Sequence, residues 1–179
     1  MGTERMLPDV CSNCLLFLLL LFLFIWDLHV HLLQVMSALN TNCIFCKIVN
    51  GTISTRIIDQ NDKAVAFLDA FPLSAGHTLI IPKLHYSKVQ DMDKEYLCAV
   101  FDLLRIISAA VEKALEVNAA TIAIHNGREA GQEIPHVHVH VIPRTADDGA
   151  GPVHSMFKER PKLSSKKLDL ILDNIKRML

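Results

Sequence analysis

Three histidines alternate with valines in one short run, His136-Val137-His138-Val139-His140-Val141-Ile142, and Pro143-Arg144 close it. Alternation with β-branched residues is the period of a strand, so side chains two apart fall on one face. The three imidazoles are therefore expected to project together, with the valines on the opposite face. Packing alone does not ask for this, because imidazole is a middling strand former and a core prefers groups without a titrating proton. Rings that titrate near neutrality on one rigid surface suit a nucleophile with its helpers, or a metal site.

At 179 residues the chain fits one domain with appendages. A net charge of -1 leaves no basic excess to neutralise phosphates, so nucleic acid is not expected as a partner. Hydrophobic residues make up 51% of the chain, and the excess is concentrated in the apolar run from Cys14 to Trp26. That run is shorter than the roughly 20 residues of a spanning helix. Residues 1–36 thus form a hydrophobic N-terminal segment with three competing readings. We read it first as an inaccurate or alternative start ahead of Met36, and second as a marginal anchor with membrane contact through residues 14–35. The third is a signal-peptide apolar region, which it matches in length but with a poor charged start and no good cleavage site.

Five cysteines without regular spacing argue against a disulfide framework and for a reduced, cytoplasmic compartment; a membrane-anchored location is the alternative. Cys11-x-x-Cys14 and Cys43-x-x-Cys46 do not make a zinc ribbon, because the interval between them holds the apolar run. Cys98 is expected to pack within a helix.

A helical period runs from Cys43 to Asn50, stopped by Gly51. Arg56–Asp59 and Ala64–Leu68 read as a hairpin turned by Asn61-Asp62. A loop, Asp69 to Gly76, leads into a strand at His77–Pro82. The longest helix spans Asp93 to about Val117, capped by Asp93, with Leu97, Phe101, Leu104, Ile107, Val111 and Leu115 as its buried stripe. Thr121–His125 is a further strand, and Asn126–Pro135 returns the chain to the histidine run. A final amphipathic helix, Ser165 to Met178, is expected to bury Leu168, Ile171, Leu172 and Ile175. The fold class is α+β: an antiparallel five-stranded sheet with a long helix and terminal helices. The folded domain is placed at residues 40–146 and a C-terminal extension with the amphipathic helix at 147–179.

The run at 136–142 matches the His-φ-His-φ-His-φ-φ signature of the histidine triad family, where φ is apolar. Cys43-Ile44-Phe45-Cys46-Lys47-Ile48, Ala66-Phe67-Leu68-Asp69, Gly76-His77 to His85 and Asn126-Gly127-Arg128-Glu129-Ala130-Gly131-Gln132 resemble that family's other blocks, in its order. The resemblance covers about Asn42 to Arg144 and implies the family's fold. It also implies a nucleotide hydrolase or nucleotidyl transferase acting at the α-phosphate through a covalent nucleotidyl-histidine, of phosphoramidase or dinucleoside polyphosphate hydrolase type. The middle histidine, His138, would attack phosphorus. The carbonyl of His136 would fix its tautomer, and His140 and His77 would contact phosphate oxygens.

By the same resemblance, Asp69 would accept from ribose hydroxyls, and Phe45, Ile48, Ile53 and Phe67 would line the base pocket. Simple core packing is the bland alternative for each apolar residue. Asn126, Gly131 and Gln132 complete the expected substrate set. The glycines of that loop would let N–H groups approach an anion, and Gln132 would add a neutral donor. The chain departs from the best-known phosphoramidase branch at His125, where that branch has Asn, and at Glu133, where it has Ser.

Cys43 and Cys46 have metal-ligand spacing and need two further ligands. Some bacterial members bind structural zinc through this pair and two histidines, here His85 and His136. The alternative is a pair of small buried thiols. No catalytic cofactor is expected. The partner set implied is a nucleotide substrate and a second copy of the chain. Two rival functions remain open: a non-catalytic nucleotide-binding regulator, and a membrane-tethered adaptor.

Overall fold

Short extended segments separated by polar turns pair in sequence neighbourhood and build one antiparallel sheet. The computed structural model describes residues 42–179 apart from 157 and 160; the readings for residues 1–36 lie outside the described residues. Among the described residues no helix is long and apolar enough to cross a membrane. One compact unit ends at Thr145 and a second spans Ala146–Leu179.

In the first unit, helix α1 (Ile44–Val49) precedes strands β1 (Ile57–Gln60), β2 (Ala64–Leu68) and β3 (Thr78–Pro82). Helix α2 (Lys94–Ala114) follows, then β4 (Ala120–Ala123) and β5 (Val139–Pro143). The strand order is β1-β2-β3-β5-β4, all neighbours antiparallel. Asn61 fixes the first hairpin: its Oδ1 accepts from the N–H groups of Lys63 at 3.0 Å and Ala64 at 2.7 Å. Its Nδ2 donates to the carbonyl of Ala99 at 2.9 Å, tying that turn to α2.

Strand alternation sorts side chains onto two faces. Ala64, Ala66, Ile80, Val139 and Val141 pack with Val100, Leu103, Leu104, Ile107 and Val111 of α2. Val65, Phe67, Leu79 and Ile81 pack with Phe45, Cys46 and Ile48 of α1. Burying Leu103 or Ile107 almost completely contributes about 1.5–3 kcal/mol each. His140 pairs with Leu79 across β3 and β5, so it shares the α1 face. The two layers thus leave the histidine side of the sheet facing a short helix.

The histidine run is only partly strand. β5 starts at Val139, opposite Ile80; the same register would set Pro82, which has no N–H for a ladder, opposite Val137. The N–H of Val137 goes instead to the carbonyl of Tyr86 at 2.7 Å. His125 likewise lies beyond β4, which ends at Ala123.

Other expectations need correction. The buried stripe of α2 is Val100, Leu103, Leu104, Ile107 and Val111, while Phe101 and Leu115 are exposed. Asp93 occupies the N-cap position but makes no capping hydrogen bond. Its carboxylate accepts from the Tyr86 hydroxyl at 2.7 Å. Cys98 is exposed on α2, not packed. In the second unit, helix α3 (Ser165–Lys176) forms with Ser164 accepting from the Lys167 N–H at 3.3 Å. Its apolar side chains are not buried: Leu168, Leu172 and Ile175 are all exposed. Amphipathicity says which face is apolar, not what covers it.

Candidate active site

His138 sits just before β5, buried, and Nδ1 lies 2.7 Å from the carbonyl oxygen of His136. A carbonyl only accepts, so Nδ1 carries the proton and Nε2 keeps its lone pair. Burial pulls the ring below its ordinary value, against a smaller opposing effect of that hydrogen bond. The result is a neutral imidazole with one bare nitrogen. Phe45 meets the ring edge-on at 5.2 Å between centroids.

His140 and His77 form the next layer. The Leu73 N–H donates to Nδ1 of His77 at 3.2 Å, and Nε2 of His77 is 2.9 Å from Nδ1 of His140. Burial outweighs the Asp69 carboxylate and lowers the pKa of His77, favouring the neutral ring. With Nδ1 accepting from Leu73, His77 carries its proton on Nε2 and donates to His140. That places the His140 proton on its own Nε2. Among the described residues, this nitrogen is the buried side-chain N or O atom without a hydrogen-bond partner. Burial, then the neighbouring imidazoles, push His140 down to about 4, so it is a neutral donor near neutrality. An unsatisfied buried N–H beside a bare ring nitrogen suits an incoming anionic oxygen.

Both groups line a cavity of about 400 Å³. Phe45, Ile48, Phe67, Asp69, His77, Gly131, His138 and His140 all contribute to its wall, as does Ile53. His125 and Glu133 also line it; among the described residues Asp69 and Glu133 are its carboxylates, and no lysine or arginine lines it.

Three residues of the expected set stand elsewhere. His136 turns its ring away from the cavity and contributes its carbonyl alone. Asn126 accepts from the Val89 N–H and donates to Gln90, each at 3.0 Å. Gln132 accepts from the Gly127 N–H at 2.8 Å and donates to the Ser87 carbonyl at 2.9 Å. Neither Asn126 nor Gln132 reaches the cavity wall. The loop glycines also differ from the anion-cradle expectation. The Gly131 N–H bonds to the Arg128 carbonyl at 2.9 Å, and the Gly127 N–H is held by Gln132. Gly131 instead supplies a backbone conformation: its φ is +90°, while a β-carbon there would make only ordinary contact, 4.0 Å from Nδ1 of His125. Leu73, whose backbone sets the His77 tautomer, had no signal in its residue type.

The ring of His136 faces a second cluster. Its Nδ1 is 3.5 Å from Sγ of Cys43 and 3.6 Å from Sγ of Cys46, while His85 Nδ1 is 3.4 Å from Cys46. A tetrahedral metal with bonds of about 2.3 Å to sulfur and about 2.0–2.1 Å to nitrogen sets them about 3.6 Å apart. All four ligand atoms lie within 4.8 Å of one another. Nε2 of His136 donates to the Pro82 carbonyl at 3.0 Å, which leaves Nδ1 unprotonated and aimed at the thiols. Burial, the largest effect, brings His136 down to about 4. The cluster fits a metal ion.

Comparison with known proteins identifies the family. Adenylylsulfatase HINT3 of Arabidopsis thaliana is 35% identical over 135 residues, 75% of this chain and 68% of that protein. Adenosine 5'-monophosphoramidase HNT1 of Saccharomyces cerevisiae is 35% identical over 108 residues, 60% of this chain and 66% of its own length. The crystal structure of a HIT family member from Bacillus subtilis superposes with a TM-score of 0.70 at 34% identity, covering 77% of this chain and 97% of that one. The model of the HIT domain matches residues 50–147, more than half of the sequence, and the chain belongs to the HIT domain family.

Proposed function

We propose that the protein hydrolyses nucleotide conjugates at the α-phosphate, with Nε2 of His138 as the nucleophile. The observation that carries the reading is the 2.7 Å contact from His138 Nδ1 to the His136 carbonyl, which leaves Nε2 bare at a cavity. Attack on phosphorus forms a nucleotidyl-histidine and releases the leaving group; water then hydrolyses the phosphoramidate. The His140 Nε2–H donates to a phosphoryl oxygen as charge builds, held in orientation through His77 and the Leu73 amide. Asp69 receives the ribose hydroxyls, and the base lies against Phe45, Ile48 and Phe67. Asn126 and Gln132 act by fixing the loop beside them. The relatives named adenylylsulfatase and adenosine 5'-monophosphoramidase support adenosine as the nucleoside.

Cys43, Cys46, His85 and His136 hold a structural zinc ion, which supplies cross-linking between α1 and the segment leading to β5. These free thiols fit a reducing, cytoplasmic location. The chain acts as a homodimer through β4 and α2, where Ile122, Phe101 and Ile106 are exposed.

The test is mass spectrometry of the full-length protein quenched during turnover of an adenylated amine. A mass increment of one nucleotidyl group on His138 is expected, with none on His138→Ala, whose AMP release falls to background. AMP release by His138→Ala at the wild-type rate would remove the reading.

A further inference from the structure

The ring contacts in the cavity run in a row. Phe45 touches His138 at 5.2 Å, His138 touches His140 at 4.9 Å, and His140 touches His125 at 5.4 Å between centroids. His125 is thus two imidazoles away from the apolar end that suits a base. It is half-buried and lies beside Gly131 on the cavity wall. Glu133 lies on the same wall and is exposed at the rim. Neither residue has a part in attack, tautomer control or phosphate contact as described above.

The charges of the wall restrict what leaves. A pyrophosphate or nucleoside polyphosphate would depart with several negative charges, and such groups need cations to meet them. Among the described residues this wall offers no lysine or arginine and presents two carboxylates. An amine is opposite in both respects: it must gain a proton as it departs, and it carries positive charge or none.

We propose that the end of the cavity remote from Phe45 is a leaving-group subsite for amines, in which His125 protonates the departing nitrogen and Glu133 faces positive charge on the amine. The inference rests on the hydrolase reading above and assigns its leaving group. When Nε2 of His138 bonds to phosphorus, the phosphorus–nitrogen bond breaks and its electron pair goes to nitrogen. The imidazolium of His125 gives that nitrogen a proton, releasing the amine. In the second step water attacks phosphorus, the bond to His138 breaks, and neutral His125 takes the proton of the water. The nucleoside monophosphate leaves with the enzyme restored.

Leaving-group dependence tests this with the full-length protein. The substrates are the n-butylamine and 1,4-diaminobutane phosphoramidates of AMP and the p-nitrophenyl ester of AMP, whose phenolate departs without a proton. His125→Asn and His125→Gln should each lose about 10²–10⁴-fold in kcat/KM on the butylamine conjugate, the range for general acid catalysis, and only a few-fold on the aryl ester. Equal losses on both substrates would assign His125 a structural role and overturn its part. Glu133→Gln should raise KM about two- to fivefold for the diaminobutane conjugate relative to the butylamine one, with kcat retained. An unchanged KM ratio would remove Glu133. Wild-type protein that releases AMP from none of the three would remove the hydrolase reading along with the subsite.

Discussion

His136 divides its duties between backbone and side chain. Its carbonyl holds the proton of His138 in place, while its ring joins the cysteine cluster on the other side of the segment. One residue therefore links the His138 tautomer to thiol geometry without its ring lining the cavity. Gly76 plays a comparable part for His77. Its φ of +80° lies in the left-handed region, and a β-carbon there would come 2.4 Å from Cδ1 of Leu115 and 3.5 Å from Pro143. Leu115 is exposed and can swing aside, so the backbone conformation is the larger cost. Gly76→Ala should destabilise the protein by about 1–3 kcal/mol in urea denaturation. It should also reduce AMP release, because the strain falls one residue before His77. A midpoint equal to that of wild type would show that the turn does not depend on glycine.

Helix α1 has six residues, too few to be stable by itself, so its position depends on what fastens it. Phe45, Cys46 and Ile48 provide packing, and the zinc proposed at Cys43 and Cys46 would provide a cross-link. Chelation should lower the melting temperature by several degrees and raise amide exchange over residues 44–49 ahead of β2 and β3. Cys43→Ser should lose bound zinc by elemental analysis and show the same exchange without chelator. Zinc-free protein with unchanged exchange in α1 would end the structural zinc assignment. The elements themselves were legible from sequence because period and punctuation agree: Gly51, Asn61, Gly76 and Pro82 fall where segments end. The face of α2 was legible only in part: Leu104, Ile107 and Val111 are buried as expected, but Leu97, Val100, Phe101, Leu103 and Ile106 leave more than one stripe at helical spacing. In the site, His77, His138 and His140 and the cluster at Cys43, Cys46, His85 and His136 could be read from type and order. The ties of Asn126 and Gln132 could not, since they reach Val89, Gln90 and Ser87, far away in sequence.

At the scale of the molecule, β4 is an edge of the five-stranded sheet, and Ile122 on it is exposed. A second copy covering that edge and the outer face of α2 gives the dimer proposed above. Light scattering should return twice the chain mass for wild type and a monomer for Ile122→Lys; wild-type protein of single-chain mass would exclude the pairing. Acid exposes a different property of the whole fold. His77, His85, His136, His138 and His140 are all held below the ordinary histidine value, with burial the first cause in every case, and His136 and His140 are brought to about 4. The unfolded chain binds these protons near pH 6.5 and the folded chain does not. Stability from these groups is therefore complete above about pH 6.5 and is lost progressively toward pH 4. Carboxylates contribute little in the upper part of that window, because their ordinary values lie near its lower end. Urea denaturation at intervals from pH 7.5 to 5 should give a falling unfolding free energy whose slope corresponds to more than one proton taken up on unfolding. Zinc holds Cys43, Cys46, His85 and His136 deprotonated while it is bound, and unfolding with loss of the metal lets all four take up protons, so metal-loaded protein should begin its decline at higher pH than chelated protein. A flat profile for the chelated protein over the same range would mean that these imidazoles take up protons in the fold as they do in the unfolded chain, and that burial does not hold them neutral.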